Sequence, residues 1–127
     1  MPLNPVGLYR EMYNGKHAEL PSIHDSFSEL RIEDRDSVLA YMRSAPVVFD
    51  VLDVADDLID GADRIMSASS LISDGTWIWR LDSIYYLSRY DLGFPEDFLR
   101  HVRRLDYRAP EQLDFTPELH ADLLVYF

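Results

Sequence analysis

The chain has 127 residues, 47% of them hydrophobic, and a formal net charge of −11. This length and composition predict a single globular domain over residues 1–127 and exclude wholesale disorder. The acidic balance disfavours binding to nucleic acid or to anionic membrane surfaces, because both are recognised through Lys and Arg.

The sequence contains no cysteine. Disulfide frameworks, thiolate zinc sites and cysteine nucleophiles are therefore excluded. No apolar run is long enough for a transmembrane helix, and charged residues early in the chain argue against a signal peptide. The expected location is the cytoplasm.

Local signals in the first 46 residues predict two helices and a strand. Asn4 is a candidate N-cap and Pro5 a first helical residue, which predicts a helix over Pro5–Tyr13. Alternating side chains over residues 27–32 predict a half-buried strand. A second helix is expected from Asp34 until Pro46 stops it.

The segment over residues 47–61 carries two competing periods. Acids at positions 50, 53, 57 and 60 recur as they would on one face of a helix, whereas clustered valines favour a strand. We predict a strand over 47–54 followed by a turn, and the helical alternative stays open.

Asp74-Gly75 between apolar runs predicts a β-hairpin in which two short strands flank Ser73-Asp74-Gly75. Alternation places Trp77 and Trp79 on one face of the second strand and Ile78 on the other.

The remaining patterns predict three helices. The first has Asp82 as its candidate N-cap and ends near Tyr90, the second is opened by Pro95, and the third is capped by Thr116. The predicted fold class is α+β: a small, mainly antiparallel sheet of about four strands, with about five helices packed on one face.

The charge is concentrated in the middle of the chain. Residues 33–63 carry two basic and nine acidic side chains, a net charge of −7. A surface of one sign attracts an oppositely charged protein, although the acids would also serve solubility alone. The candidate partner-binding acids are Asp50, Asp53, Asp56, Asp57, Asp60 and Asp63.

Motifs for catalysis or for a cofactor are absent from the sequence. The aspartates at 56–63 lack the spacing of a calcium loop, and no two histidines stand four residues apart. Nucleophile elbows and glycine-rich phosphate loops are also missing. We expect no metal, no cofactor and no catalytic residue.

Aromatic residues cluster between positions 77 and 98. Most are expected in the core, but Tyr85 and Tyr86 are consecutive on a predicted helix and cannot both face inward. Exposed aromatics beside acids are typical of protein-binding surfaces. The candidate aromatic contacts are Trp77, Trp79, Tyr85 and Tyr86.

The run Asp74-Gly75-Thr76-Trp77-Ile78-Trp79-Arg80, then Tyr85-Tyr86 and Gly93-Phe94-Pro95-Glu96-Asp97-Phe98, resembles a group of small acidic actinobacterial proteins, mostly of unassigned function. The resemblance covers residues 46–105 and brings no catalytic residues. By size and acidity such proteins are similar to immunity proteins, which neutralise secreted toxins.

Three functions follow as expectations. The first is a non-enzymatic immunity protein that binds a basic toxin or effector. The second is a structural or regulatory homodimer closed by the aromatic residues. The third is a small enzyme or ligand-binding domain with a carboxylate-lined pocket.

Overall fold

The computed structural model describes residues 2–61 and 63–127, which form an α+β fold. The strands are β1 (Asn4–Pro5), β2 (Val47–Phe49), β3 (Val54–Asp56), β4 (Arg64–Met66), β5 (Leu71–Ser73) and β6 (Trp77–Arg80). The α-helices are α1 (Arg35–Ser44), α2 (Leu81–Arg89), α3 (Glu96–Arg104) and α4 (Pro117–Leu124). Short 3-10 helices cover Arg10–Tyr13 and Ile23–Asp25.

The strands form two sheets. The larger has the order β1-β6-β5-β2, in which β1 runs parallel to β6 and the other pairs are antiparallel. The smaller is the antiparallel pair β3 and β4. The predicted sheet of about four strands is therefore present, and the second sheet was not anticipated.

The β5–β6 hairpin confirms the prediction from Asp74-Gly75. Gly75 adopts a φ of 94°, which glycine tolerates because it has no Cβ. Asp74 Oδ1 accepts the backbone N–H groups of Thr76 at 2.9 Å and Trp77 at 2.7 Å. The Asp74 side chain therefore stabilises the turn by accepting two backbone hydrogen bonds, and Gly75 supplies the positive φ.

Both faces of the larger sheet are covered. On one face Trp77 and Trp79 pack in a core with residues of α1, α2 and α3. On the other face Ile78 packs in a second core that includes Leu123 of α4. The alternation predicted for β6 is confirmed, whereas the expectation that all helices lie on one face is wrong because α4 covers the other face.

A buried ion pair links β6 to α2. Arg80 Nε lies 3.0 Å from Asp82 Oδ1, and Arg80 Nη2 lies 2.9 Å from Asp82 Oδ2. Burial raises the pKa of the Asp82 carboxyl, and the nearby Arg80 only partly opposes that shift. Asp82 lies inside α2, one residue after the helix begins, so its predicted role as an N-cap is wrong.

The predicted helix Pro5–Tyr13 is wrong. The N–H of Asn4 donates to Thr76 O at 2.9 Å and that of Val6 to Ile78 O at 3.0 Å, which makes this segment an edge strand on β6. Pro5 has no N–H to donate, which an edge strand tolerates. Pairing with a distant strand has overridden the local helix signals.

The predicted strand over 27–32 is also wrong. Only Phe27 forms a β-bridge, with Leu92, and Leu30 is 80% exposed. The chain beyond Phe27 gains no ladder of hydrogen bonds because no partner strand continues beside it among the described residues.

The strand predicted over 47–54 is confirmed only at its two ends. The chain leaves the larger sheet after β2 and enters the smaller one at β3, so residues 50–53 belong to neither. The predicted helix boundaries agree better. α1 begins after Asp34, α3 follows Pro95, and Thr116 caps α4 by accepting the Leu119 N–H at 3.1 Å.

Candidate protein-binding surface

The β3–β4 hairpin has one buried face and one exposed face. In its register Val54 pairs with Met66, Ala55 with Ile65, and Asp56 with Arg64. Paired residues in an antiparallel ladder share a face, and successive residues alternate between faces. Ile65 is buried in the main core, so the pairs on either side of it face outward.

The outward side chains form an apolar surface in the most acidic part of the chain. Val54 is 51% exposed and Met66 is 67% exposed. Leu52, two residues before Val54, is 93% exposed. We call Leu52, Val54, Asp56, Arg64 and Met66 the hairpin face.

Charge around the hairpin face is strongly negative. Residues 50–66 contain six aspartates and one arginine, a net charge of −5. Asp56 Oδ1 lies 3.8 Å from Arg64 Nε, but both side chains are exposed and such pairs interact weakly. The segment therefore combines exposed apolar side chains with a net negative charge of its own.

Asp57 organises the turn that follows β3. Its side chain is only 3% exposed, and Oδ2 accepts the hydroxyls of Tyr85 and Tyr90, each at 2.7 Å. Oδ1 accepts the N–H groups of Ile59 at 2.7 Å and Asp60 at 3.1 Å. The carboxylate thereby ties the turn to α2 and its C-terminal end.

The pKa of Asp57 reflects these contacts. Burial acts to raise it, but the hydrogen bonds from Tyr85, Tyr90 and the two backbone groups outweigh burial and bring the pKa below its usual value. The same burial, together with donation to Asp57, raises the pKa of the Tyr85 hydroxyl. The site is therefore built for a carboxylate, with neutral tyrosines as donors.

Arg89 of α2 holds the far side of the same loop. Its Nη2 lies 3.1 Å from Asp60 Oδ2, and its Nη1 contacts Asp63. The guanidinium also lies over the rings of Tyr85 and Tyr90, at 5.6 and 5.9 Å from their centroids. Two of the predicted acids are thus matched by one internal cation.

Asp50 and Asp53 fasten the start of the segment to the chain before β5. Ser69 donates to Asp53 through both its hydroxyl, at 2.5 Å, and its N–H, at 3.2 Å. Ser70 donates its hydroxyl to Asp50 at 3.2 Å. These bonds position Leu52 while its side chain stays in solvent.

The aromatic candidates occupy different places. Trp77, Trp79 and Tyr86 are buried in the main core, and the Tyr86 hydroxyl accepts the Leu58 N–H at 2.9 Å. Tyr85 is partly buried and engaged by Asp57. The rings of Trp77, Trp79 and Tyr86 lie in the protein interior, so the structure does not place them on a surface that a partner could contact.

The sequence interpretation did not select Leu52, Val54 and Met66 as candidate contacts. A signal was present, because positions 52, 54 and 56 alternate with 53, 55 and 57 as one face of a strand does. Alternation alone does not say which face is outward. The pairing of Ile65 with Ala55 decides that.

Within residues 2–61 and 63–127, no group of three or more histidine or acidic side chains is arranged to hold a metal ion. In the same described part of the chain, each helix is too short or too polar to cross a bilayer. Comparisons with protein-family models, curated proteins and solved structures found no match to this chain.

Proposed function

We propose that this chain is a non-enzymatic, cytoplasmic protein-binding domain whose hairpin face binds a basic protein. Its most specific form is an immunity protein that neutralises a basic toxin or effector, a class of proteins to which this chain is similar in size and acidity. One observation supports the proposal above all: Leu52, Val54 and Met66 are exposed together within a segment of net charge −5.

Two features of the hairpin would act on different rates of binding: its charge on association and its apolar side chains on dissociation. Negative charge at the rim speeds the encounter with a basic protein and makes that rate depend on salt. Apolar side chains that lose water on contact slow dissociation. Asp57 and Arg89 keep the hairpin in place before binding, which lowers the ordering cost of association.

The first experiment is affinity capture from the source organism's lysate and secreted fraction at low salt. The baits are the wild type, the double variant Leu52→Ser/Met66→Ser, and Leu30→Ser as a matched control. Leu30 is 80% exposed but lies outside the hairpin. We expect one basic protein on the wild type and the control, at stoichiometric amounts, and its loss from the double variant.

Binding kinetics with the captured protein then separate charge from apolar contact. Asp50→Asn/Asp56→Asn should lower the association rate and its salt dependence. Leu52→Ser/Met66→Ser should raise the dissociation rate. If neither pair changes binding, the hairpin face is not the interface.

The immunity role has its own test. Expression of the captured protein in a bacterial host should arrest growth, and co-expression of the wild-type chain, but not of the double variant, should restore it. Growth unaffected by the captured protein would leave a binding protein that is not an immunity protein. Self-association abolished in the double variant by sedimentation would indicate the homodimer instead.

A further inference from the structure

A basic pocket lies on a different part of the molecule, between α3 and the edge where β1 pairs with β6. It is a shallow cavity of about 350 Å³. Its lining residues are Asn4, Trp77, Asp97, Arg100, His101 and Arg104. The last four are spaced three and four residues apart and so share one face of α3.

The wall of this pocket is fixed by aromatic packing. Phe98 of α3 contacts Trp77 and Trp79 of β6, with ring centroids 5.3 and 5.9 Å apart. Phe98 and Trp79 are fully buried. The helix that carries the basic residues is therefore held firmly against the sheet.

A buried carboxylate orients His101. Its Nε2 lies 3.0 Å from Oδ2 of Asp74, whose side chain has no solvent exposure, and the Tyr41 hydroxyl donates to the same oxygen at 2.5 Å. Because Asp74 Oδ2 accepts rather than donates, the hydrogen of this bond is on His101 Nε2. Nδ1 has no hydrogen-bond partner in the described part of the chain, and the His101 side chain is 20% exposed.

The arginines of α3 differ in how they are satisfied. Arg103 forms a bidentate contact with Asp34, in which Nε lies 2.8 Å and Nη2 2.9 Å from the two carboxylate oxygens. Arg100 is paired with Asp97, at 2.5 Å, and the Arg104 side chain forms no hydrogen bond or ion pair with the described residues. The helix dipole favours basic residues at this end of α3, but it does not require a histidine clamped by a buried carboxylate beside them.

We propose that this pocket binds the phosphate group of a small molecule. Two guanidiniums offer paired N–H donors that match phosphate geometry, and they lie beside the His101 imidazole. The cavity is in the size range of small-molecule sites and has room for more than the phosphate itself. This activity is separate from the proposed function, because the pocket uses no residue of the hairpin face.

Inorganic phosphate and phenyl phosphate are the probes, and imidazole NMR is the readout. The chain has only four histidines, so each ring is easily followed. Titration should move the His101 resonances saturably and leave His120, an exposed residue of α4, unchanged. Tighter binding of phenyl phosphate identifies a phosphate monoester as the ligand class, and tighter binding of the inorganic ion identifies free phosphate.

Variants locate the binding. Arg104→Gln should weaken phosphate binding about tenfold to a hundredfold, because it removes a charge-assisted contact. Arg108→Gln is the matched control, since Arg108 is exposed and does not line the pocket. Both positions are on the surface, so neither variant is expected to disturb folding.

Two results would overturn the proposal. One is titration at millimolar phosphate that leaves His101 as unmoved as His120. The other is equal weakening of phosphate binding by Arg104→Gln and Arg108→Gln. That result would indicate an effect of the protein's net charge and not of this pocket. Neither result bears on partner capture by the hairpin face, so the two proposals fail separately.

Discussion

Two buried aspartates, in two regions of the molecule, are satisfied by opposite means. At the junction of β6 and α2, Asp82 is matched by the Arg80 guanidinium. At the β3–β4 hairpin, Asp57 is matched by tyrosine hydroxyls and backbone N–H groups, with no cation bonded to it among the described residues. The first contact is internal to the core, whereas the second ties a peripheral sheet to the body of the protein.

The two sites show that a buried aspartate can stabilise either the whole core or one local turn. When a buried carboxylate is paired with a buried cation, removal of either group leaves the other buried without a counter-charge, which is strongly destabilising. A carboxylate held by neutral donors fixes local geometry without a second charge. We expect damage at Asp82 to be global and damage at Asp57 to be confined to the hairpin.

The largest effect is expected for Asp82→Ala. It leaves Arg80 buried without its counter-charge and should lower the free energy of unfolding by about 3–5 kcal/mol, measured by urea denaturation. The control is Arg80→Met/Asp82→Leu, which removes both charges and should recover much of that loss. Asp82→Ala with the stability of the wild type would contradict the role of this pair.

An intermediate effect is expected for Asp57→Ala. The variant leaves two hydroxyls and two N–H groups without their acceptor and should cost about 1–3 kcal/mol. Amide hydrogen exchange should accelerate in β3 and β4 and stay slow in β5 and β6. Asp56→Ala is the matched control, because Asp56 is exposed and its removal should change exchange little. Uniform acceleration over both sheets would show that the hairpin is not a separate unit.

The smallest effect is a dependence on pH that distinguishes the two aspartates. The pKa of Asp57 is lower in the folded chain than in the unfolded chain, so its contribution to stability is complete above about pH 4. That contribution is lost as the pH falls through the lowered pKa. The stability difference between the wild type and Asp57→Asn should therefore shrink on acidification.

Asp82 should show the opposite sign, because its pKa is raised on folding. Its ionisation costs stability, so this group's contribution decreases as the pH rises above the pKa of an unfolded aspartate. Urea denaturation of the wild type, Asp57→Asn and Asp82→Ala between pH 2.5 and 6 measures both dependences. A gap between wild type and Asp57→Asn that does not change with pH would show that the Asp57 pKa is not lowered.

The sequence predictions were correct where a feature depends on interactions between residues close together in the chain, and wrong where distant residues decide it. Asp74-Gly75, Pro95 and Thr116 act on residues within one turn of themselves, and the hairpin and helices that they predict are present. Asn4 and Pro5 carry equally clear local signals for a helix. They failed because β6, more than seventy residues away, offers backbone partners to that segment.

The candidate site shows the same division. The acidic segment and its aspartates were evident from composition. Their separation into Asp57, which is buried, and Asp56, which is exposed, was not, because adjacent residues on a strand face opposite sides and only packing chooses the buried one. The aromatic candidates failed for that reason too, since residue type does not say whether a ring lies in a core or on a surface.

The amino-acid sequence by itself therefore determined the α+β class, the β5–β6 hairpin, four of the five predicted helices and the concentration of negative charge. These depend on local backbone preferences and on charge, both of which are properties of neighbouring residues. Only the tertiary structure decided the edge strand at Asn4–Pro5, the second sheet, the outward face of Leu52, Val54 and Met66, and the meeting of His101 with Asp74. Each of these depends on contacts between residues distant in the chain, whose free energy no local pattern contains.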